Sequence, residues 1–218
     1  MNNDKVFINN NFVDKNSANI SVFDRGFLFA DGIYEVIPVC GDIPYFINHH
    51  LERLQKNLGI IEIDYNVEYD YWANIINNLI KYNGKNRGIY IQITRGADID
   101  NLRTHAPNKD LKPTAIAFSL PEKEFGHSLN NTGISAITHE DIRWQLCHVK
   151  SVSLLANALL SKRAYENSAA ETILIKNNYI TEGTSSNIYI VKNNEIMTPV
   201  LNNEILPGIT RKILLDIA

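Results

Sequence analysis

The spacing of apolar side chains predicts alternating strands and helices in the first half of the chain. Residues 88–94 alternate between apolar and polar side chains, a period of two that is typical of a half-buried strand. Residues 67–82 instead place apolar side chains at helical spacing and stop just before Gly84. The other elements predicted here are strands at residues 5–9, 12–14, 34–40, 43–46 and 113–119, and a helix over residues 48–58 that Asn48 would cap. We therefore expect an α/β domain over residues 1–121.

Strands dominate the prediction for the second half of the chain. Residues 134–138 alternate like a half-buried strand. The further predicted elements are strands at 171–176, 179–180, 187–191 and 195–198, hairpin turns at the asparagine pairs 177–178 and 193–194, a helix over 153–166 with Ser153 as its N-cap, and a helix starting at Pro207. The polar residues 122–131 predict a linker, so a second, strand-rich domain would comprise residues 132–218.

Composition and charge indicate an ordinary globular protein. Of the 218 residues, 44% are hydrophobic and 21% are charged, the net charge is −3, and the 21 basic residues are scattered. This balance favours neither nucleic acid nor a membrane surface as a partner, and the N-terminus does not resemble a signal peptide. Cys40 and Cys147 lack the spacing of metal ligands and are typical of a reducing compartment, so we expect a cytoplasmic protein without a metal site.

Lys150 lies between the predicted strand at 134–138 and the predicted helix at 153–166. At such a junction the backbone is held rigidly while the amine can point into a cleft. Burial lowers the pKa of a lysine and frees its lone pair for attack on a carbonyl carbon. A solvated surface lysine is the competing interpretation, and the residues next to Lys150 do not decide between the two.

Four other stretches carry candidate chemistry. Glu182 lies in a turn between strands and would need a cationic partner if it were buried, for which a protonated heterocycle nitrogen would serve. Residues 206–211 place a glycine and a threonine at a helix start, where amides bind anions. Arg53 could clamp a phosphate, and Arg103 and His105 could grip a carboxylate. Each stretch also has an ordinary interpretation as a surface loop, a plain helix start or a helix surface.

Eight short motifs occur in a fixed order along the chain. They are Asp24-Arg-Gly-Phe, Asp31-Gly-Ile-Tyr-Glu35, His50-Leu-Glu-Arg53-Leu, Ile93-Thr-Arg-Gly96, Asp141-Ile-Arg, Lys150-Ser, Glu182-Gly-Thr-Ser-Ser-Asn187 and Leu206-Pro-Gly-Ile-Thr-Arg211. Together they resemble the class IV pyridoxal-phosphate aminotransferases, and within them the D-amino acid transaminases. The resemblance runs from about Val6 to the last residue.

This resemblance implies a fold and an activity. The expected fold is α/β (α+β) and D-amino acid aminotransferase-like, with a small α/β N-terminal domain and a strand-rich pseudo-barrel C-terminal domain. The expected reaction is transamination between a D-amino acid, of the D-alanine or D-glutamate type, and a 2-oxo acid. Pyridoxal 5′-phosphate would be the cofactor, and the protein would be a homodimer.

The resemblance also implies roles for individual residues. Lys150 resembles the lysine that carries the cofactor and shuttles the substrate proton, and Glu182 resembles the carboxylate that pairs with the pyridine nitrogen. The residues that resemble the remaining cofactor-binding positions are Arg53, Ile209 and Thr210 at the phosphate, and Leu206 and Ser185 at the ring. The residues that resemble the substrate carboxylate trap are Tyr34, Arg103 and His105.

Two features depart from the family pattern. The loop over residues 96–103 is longer than usual, so the position of Arg103 and His105 depends on how this loop folds. Family members also continue beyond the position of Ala218 with further strands, a second phosphate-contacting loop and a closing helix. We therefore expect the fold to be truncated at its C-terminus.

Three alternative functions remain open at this point. A branched-chain L-amino acid aminotransferase and an aminodeoxychorismate lyase would share the fold and the cofactor, and a non-catalytic homologue would share only the fold. The motif at residues 31–35 and the pair Arg103 and His105 resemble the D-specific group better than the other two enzymes. The presence of both Lys150 and Glu182 argues against a non-catalytic homologue.

Overall fold

The structure is a computed structural model that describes residues 4–84, 86–100, 103–121 and 133–218, with the side chains of residues 86 and 87 left out. The chain divides into two compact units. The first is Met1–Glu124 together with Lys150–Val152, and the second is Phe125–Val149 together with Ser153–Ala218. The predicted linker at residues 122–131 lies outside the described residues, so the predicted domain boundaries stay predictions.

A six-stranded antiparallel sheet forms the first unit, in the order β2-β1-β6-β5-β3-β4. Its strands are β1 (Lys5–Ile8), β2 (Asn11–Asp14), β3 (Gly32–Cys40), β4 (Ile43–Pro44), β5 (Asn86–Thr94) and β6 (Thr114–Pro121). Strand β5 alternates buried isoleucines at positions 89, 91 and 93 with less buried residues, as the period of two predicted. This half-buried alternation fixes the register of the central strands.

The described residues of the same unit also form helices α1 (Arg25–Phe29), α2 (Ile47–Ile60) and α3 (Tyr69–Asn83), besides a 3₁₀ turn at Lys15–Ser17. Helix α3 packs on β1, β5 and β6, and α2 packs on β3. Asn48 was expected to cap α2, and this prediction is wrong, because the N-cap is Phe46 in a left-handed conformation and Asn48 lies inside the first turn. Helix α1 has only five residues, and Asp24 caps it by accepting a hydrogen bond from the Gly26 amide at 2.8 Å.

Asparagine pairs close three of the hairpins with two-residue turns in the described part of the chain, and Gly41 with Asp42 closes a fourth, between β3 and β4. The pairs at residues 9–10, 177–178 and 193–194 all have positive φ at both positions, between 43° and 74°. Two-residue turns with positive φ at both centres match the twist of the flanking strands, and asparagine tolerates that conformation better than other residues with a Cβ. The hairpin turns predicted at residues 177–178 and 193–194 are therefore confirmed.

The second unit is rich in strands. Strands β7 (Ala136–Glu140), β8 (Glu171–Lys176) and β9 (Tyr179–Gly183) form one sheet, and β10 (Ile190–Lys192) and β11 (Glu195–Met197) form a hairpin. Helix α4 (Leu155–Glu166) connects the parallel strands β7 and β8, and α5 is Ile209–Ile217. The prediction that Ser153 caps α4 is wrong, because Leu154 occupies the N-cap position and gives no side-chain hydrogen bond. Within the described ranges, no helix has both the length and the hydropathy to cross a membrane.

Candidate functional site

Lys150 is held at the edge of the first unit's sheet. Its carbonyl oxygen accepts a hydrogen bond from the Tyr34 amide at 3.0 Å, and the Val152 amide donates to the Gly32 carbonyl at 3.1 Å. Between them, Ser151 forms an antiparallel bridge with Ile33. Lys150 lies between β7 and α4 in the chain, as the sequence predicted, and pairing with β3 holds its backbone.

The Lys150 amine lies over an aromatic ladder. Its Nζ is 4.2 Å from the centre of the Tyr34 ring, which stacks on Tyr90 at 5.5 Å, and Tyr90 stacks on Phe118 at 4.8 Å. The ladder crosses β3, β5 and β6, so each ring is fixed by a different strand. Burial, followed by the neighbouring Tyr34, raises the pKa of Tyr90. The electron-rich face of Tyr34 attracts the ammonium form of the lysine and orients it.

Arg53 is tied to a buried carboxylate. Its Nε and Nη2 donate to the two oxygens of Glu35 at 2.7 and 2.8 Å, and His50 Nδ1 lies 2.8 Å from Glu35 Oε2. Burial by itself would raise the pKa of Glu35, but the hydrogen bonds and charges of Arg53 and His50 outweigh it and hold that pKa below its ordinary value. The predicted phosphate clamp is thus an arginine whose orientation Glu35 sets.

Asp31 joins two arginines from different parts of the first unit. Arg25 donates Nε to Asp31 at 3.0 Å, and Arg95 donates Nε at 2.7 Å and Nη2 at 3.0 Å. Each arginine then holds a second segment: Arg95 donates to the Ile61 and Glu62 carbonyls, both at 2.7 Å. The motif at residues 31–35 therefore carries Asp31 and Glu35 as anchors for arginines.

Arg25 reaches the loop that bears the predicted carboxylate trap. Its Nη1 donates to the Thr104 carbonyl at 3.0 Å and its Nη2 to the His105 carbonyl at 2.5 Å. Arg103 and the His105 ring both approach Phe29, at 5.4 and 5.7 Å between centres. Both side chains are exposed. The structure brings Arg103 and His105 together at one ring, whereas Tyr34 lies in the aromatic ladder.

Glu182 is buried in the second unit at the end of β9. One oxygen accepts from Arg143 Nη1, and the other accepts from Asn187 Nδ2 and from the Leu206 amide, both at 3.1 Å. Burial raises the pKa of Glu182 above its ordinary value, although Arg143 and the Leu206 amide act in the opposite direction. The surface-loop interpretation of this acid does not hold, because Glu182 is only 5% exposed.

Arg143 is the residue that sequence reasoning missed. Its Nε and Nη2 bind both oxygens of Asp141 at 2.9 and 2.7 Å, and its Nη1 binds Glu182. The motif Asp141-Ile-Arg143 was recognised only as part of the family pattern. A buried acid requires a nearby cation, and this requirement could have pointed to Arg143. Arg143 meets it only partly, because it also binds Asp141.

Glu171 organises the loop that follows Glu182. It accepts hydrogen bonds from the Thr184 amide and hydroxyl at 3.0 and 2.5 Å and from the Ser186 hydroxyl at 2.7 Å. Gly183 is required here, because a Cβ would lie 2.3 Å from Ser186 Oγ. Ser185, predicted to contact a cofactor ring, is exposed at the tip of this loop.

The start of α5 is fixed from the same loop. Asn187 donates to the Leu206 carbonyl at 3.1 Å, and a Cβ on Gly208, the N-cap residue, would lie 2.2 Å from Asn187 Oδ1. Ile209 is buried, whereas Thr210 is exposed. The first amides of a helix have no partners within the helix. The anion site predicted at this end stays a prediction.

Comparison with known proteins identifies the family. The family model described as amino-transferase class IV matches residues 32–218. A D-alanine aminotransferase of Staphylococcus haemolyticus is 40% identical over 212 residues, covering 96% of this chain and 74% of that protein. The chain belongs to the class IV aminotransferases.

Solved structures agree on the fold. The branched-chain amino acid aminotransferase of Escherichia coli superposes with a TM-score of 0.84 at 21% identity, covering 99% of this chain and 74% of that one. A PLP-bound form of a hypothetical aminotransferase from Mycobacterium tuberculosis has a TM-score of 0.81 at 18% identity, covering 98% and 77%. The expected two-domain fold of class IV aminotransferases is confirmed.

Proposed function

We propose that this aminotransferase uses pyridoxal 5′-phosphate to move an amino group between a D-amino acid and a 2-oxo acid. The choice of D-amino acids rests on the 40% identity with a protein named D-alanine aminotransferase. In the reaction, the donor gives its amino group and Cα hydrogen and gains an oxygen, and the acceptor does the reverse. The cofactor, when bound, supplies an electron sink that stabilises negative charge at Cα.

The residues fit this cofactor. The observation that carries the proposal is the buried Glu182, which receives three hydrogen bonds from described residues. A carboxylate has about four acceptor positions, so one remains for the N–H of a protonated ring nitrogen. Its raised pKa marks a negative charge that the chain does not fully compensate, and a cationic ring would compensate it.

The other donors suit the remaining parts of the cofactor. The Lys150 amine would bind its carbonyl carbon, and the amides of Ile209 and Thr210 at the start of α5, with Arg53, would bind its phosphate. Leu206 and Ser185 would contact the ring. In the reaction, Lys150 Nζ would take the proton from Cα of the amino donor. It would later give a proton to Cα of the amino acid that forms from the 2-oxo acid.

The substrate carboxylate would be bound by Arg103, His105 and the hydroxyl of Tyr34. Arginine presents two parallel donors to a carboxylate, so its position decides which enantiomer places its Cα hydrogen toward Lys150. Both Arg103 and His105 are exposed and adjacent at Phe29, as donors for an incoming ligand must be.

We also propose that the protein is a homodimer and that it resides in the cytoplasm. Three apolar side chains on adjoining segments of the first unit are strongly exposed: Val22 at 65%, Phe27 at 72% and Ile99 at 63%. Such a group of exposed apolar residues is typical of an interface. Light scattering should give twice the mass of the chain, and Phe27→Glu should lower it to that of one chain. The free thiols of Cys40 and Cys147 support the cytoplasmic location.

The proposed activity is tested with a substrate panel. D-alanine, D-glutamate and L-leucine are each supplied with 2-oxoglutarate or pyruvate, and oxo-acid formation is measured. D-alanine should be used best with 2-oxoglutarate, and Lys150→Ala should abolish turnover, whereas Lys162→Ala, which changes an exposed lysine of α4, should not. A preference for L-leucine over every D-amino acid would replace the proposal by branched-chain transamination, and a colourless, inactive protein would indicate a non-catalytic homologue.

A further inference from the structure

Arg25 makes a set of contacts that the proposed reaction does not use. Its side chain is 3% exposed, its Nε donates to Asp31, and its two terminal nitrogens donate to the carbonyls of Thr104 and His105. Its guanidinium carbon also lies 4.6 Å from the centre of the Phe29 ring. All three nitrogens of a buried arginine are therefore engaged, and two of them hold one short piece of backbone.

That piece of backbone carries Arg103 and His105. Two charge-assisted hydrogen bonds to consecutive carbonyls, at 3.0 and 2.5 Å, fix the direction of the chain between residues 103 and 105. The same Phe29 ring lies under Arg25, under Arg103 and beside His105. Arg25 thus holds the backbone of this segment, and Phe29 contacts both of its exposed side chains, Arg103 and His105.

Arg95 binds the same carboxylate as Arg25 but holds a different segment of the chain, so comparing the two isolates the effect of holding residues 104–105. Both arginines bind Asp31, but Arg95 donates its other hydrogen bonds to Ile61 and Glu62, at the end of α2. A loss of Arg95 would therefore weaken the same ion cluster without releasing residues 104–105. The two arginines form a natural pair of test and control.

We propose that Arg25 is a positioning residue for substrate specificity: by clamping the carbonyls of Thr104 and His105, it aims Arg103 and His105 at the substrate carboxylate. This proposal rests on the proposed function, because it assumes that those two side chains bind the carboxylate. Lysine in its place would keep the charge beside Asp31 but would lack the planar fork that reaches two carbonyls at once.

The test compares two substrates within each variant. D-alanine carries a carboxylate, and isopropylamine is the same molecule with a methyl group in its place. The ratio of their kcat/KM values cancels the amount of active enzyme, so a loss of stability or of cofactor does not change it. We expect Arg25→Lys to lower this ratio about tenfold or more, chiefly through KM for D-alanine, which is the scale of losing a charge-assisted contact. Arg103→Ala should lower it at least as much.

Arg95→Lys is the matched control and should leave the ratio within about twofold of the wild type. The proposal is overturned if Arg25→Lys leaves the ratio unchanged, or if Arg95→Lys lowers it equally. Should D-alanine not be a substrate of the wild type, the proposed function fails on its own evidence, and the same ratio is measured with the best acid substrate found.

A second measurement requires no turnover. Hydrogen exchange of the backbone amides at residues 103–106 should speed up in Arg25→Lys and stay unchanged in Arg95→Lys, because only the first variant releases the two carbonyls. Equal exchange in both variants would show that Arg25 does not hold this loop, whatever reaction the enzyme catalyses.

Discussion

Glu35 in the first unit and Glu182 in the second are both buried and both paired with an arginine, yet their pKa values shift in opposite directions. Glu35 is 0% exposed and its pKa is lowered, whereas Glu182 is 5% exposed and its pKa is raised. Burial is the largest influence on each and raises both. The difference therefore comes from how completely their partners compensate the negative charge.

The partners differ in what else they bind. Arg53 gives Glu35 two nitrogens, and His50 adds a third contact. Arg143 gives Glu182 only Nη1, because its Nε and Nη2 bind Asp141, a second carboxylate that also repels Glu182. The partners of Glu35 bind both of its oxygens, and we call this group of Glu35, Arg53 and His50 the closed cluster. Glu182 instead shares the positive charge of Arg143 with Asp141.

This comparison separates a structural acid from a candidate functional one. A buried charge without full compensation is costly, so it persists where a ligand completes the compensation. A protonated ring nitrogen would supply the additional positive charge and N–H donor that the protein partners of Glu182 do not provide. The same reasoning assigns Glu35 to stability and to the orientation of Arg53.

The largest effect should come from breaking the closed cluster. Glu35→Gln leaves Arg53, whose side chain is only 11% exposed, without its counter-charge, so the free energy of unfolding should fall by about 3–5 kcal/mol. Urea denaturation followed by circular dichroism measures it. Glu166→Gln, which removes an exposed i,i+4 partner of Lys162, is the control and should cost about 1 kcal/mol or less. Equal losses of unfolding free energy in the two variants would show that Glu35 has no special structural role.

Glu182→Gln should act on the rate and much less on stability. The glutamine keeps the shape and can still accept a hydrogen bond from Leu206, but it cannot keep a ring nitrogen protonated. We expect kcat to fall by about a hundredfold, the scale of losing one electrostatic stabiliser. An unchanged kcat would show that Glu182 is a structural acid like Glu35. A loss of unfolding free energy as large as that of Glu35→Gln would show that the two acids do not differ in their structural role.

The smallest predicted effect is the pH dependence of stability. Because the pKa of Glu35 is lowered from 4.5, the unfolded chain takes up a proton in the window below that value where the folded chain does not, so stability falls as the pH falls. Glu182 has the opposite effect, because its pKa is raised in the folded state. Its contribution to the free energy of unfolding is present below pH 4.5 and is lost as the pH rises through its folded pKa.

Urea denaturation between about pH 3.5 and about pH 7 separates the two, since each effect lies in its own window. Glu35→Gln should flatten the acid side of the stability curve, and Glu182→Gln should remove part of the decline on the other side. A curve with the same shape in both variants and the wild type would contradict the assigned directions.

Local patterns predicted much of the fold. The alternation of β5, the helical spacing of α3 and the asparagine turns were correct, because each depends on a few neighbouring residues. The caps at Asn48 and Ser153 were wrong, since a helix start also depends on what the preceding chain packs against. The pairing of Lys150 with β3 joins residues far apart in sequence, and no local pattern reports it.

The candidate site was predicted as a set of residues without their connections. Residue chemistry made Glu182 and the start of α5 candidates, and the family resemblance assigned their roles. The need for a cation at Glu182 was stated only for the case in which this acid is buried. Its protein partner Arg143 and the clamp made by Arg25 could not be predicted, because both depend on contacts between distant segments.

The most direct test of the account is the protonation state of the cofactor's ring nitrogen. The protein is loaded with pyridoxal 5′-phosphate labelled with ¹⁵N at that position, and its NMR shift is recorded at neutral pH for the wild type and for Glu182→Gln. We predict the shift of a protonated pyridinium in the wild type and of an unprotonated pyridine in the variant. An unprotonated nitrogen in the wild type, or the same shift in both proteins, would contradict the claim that Glu182 is the acid left for the cofactor.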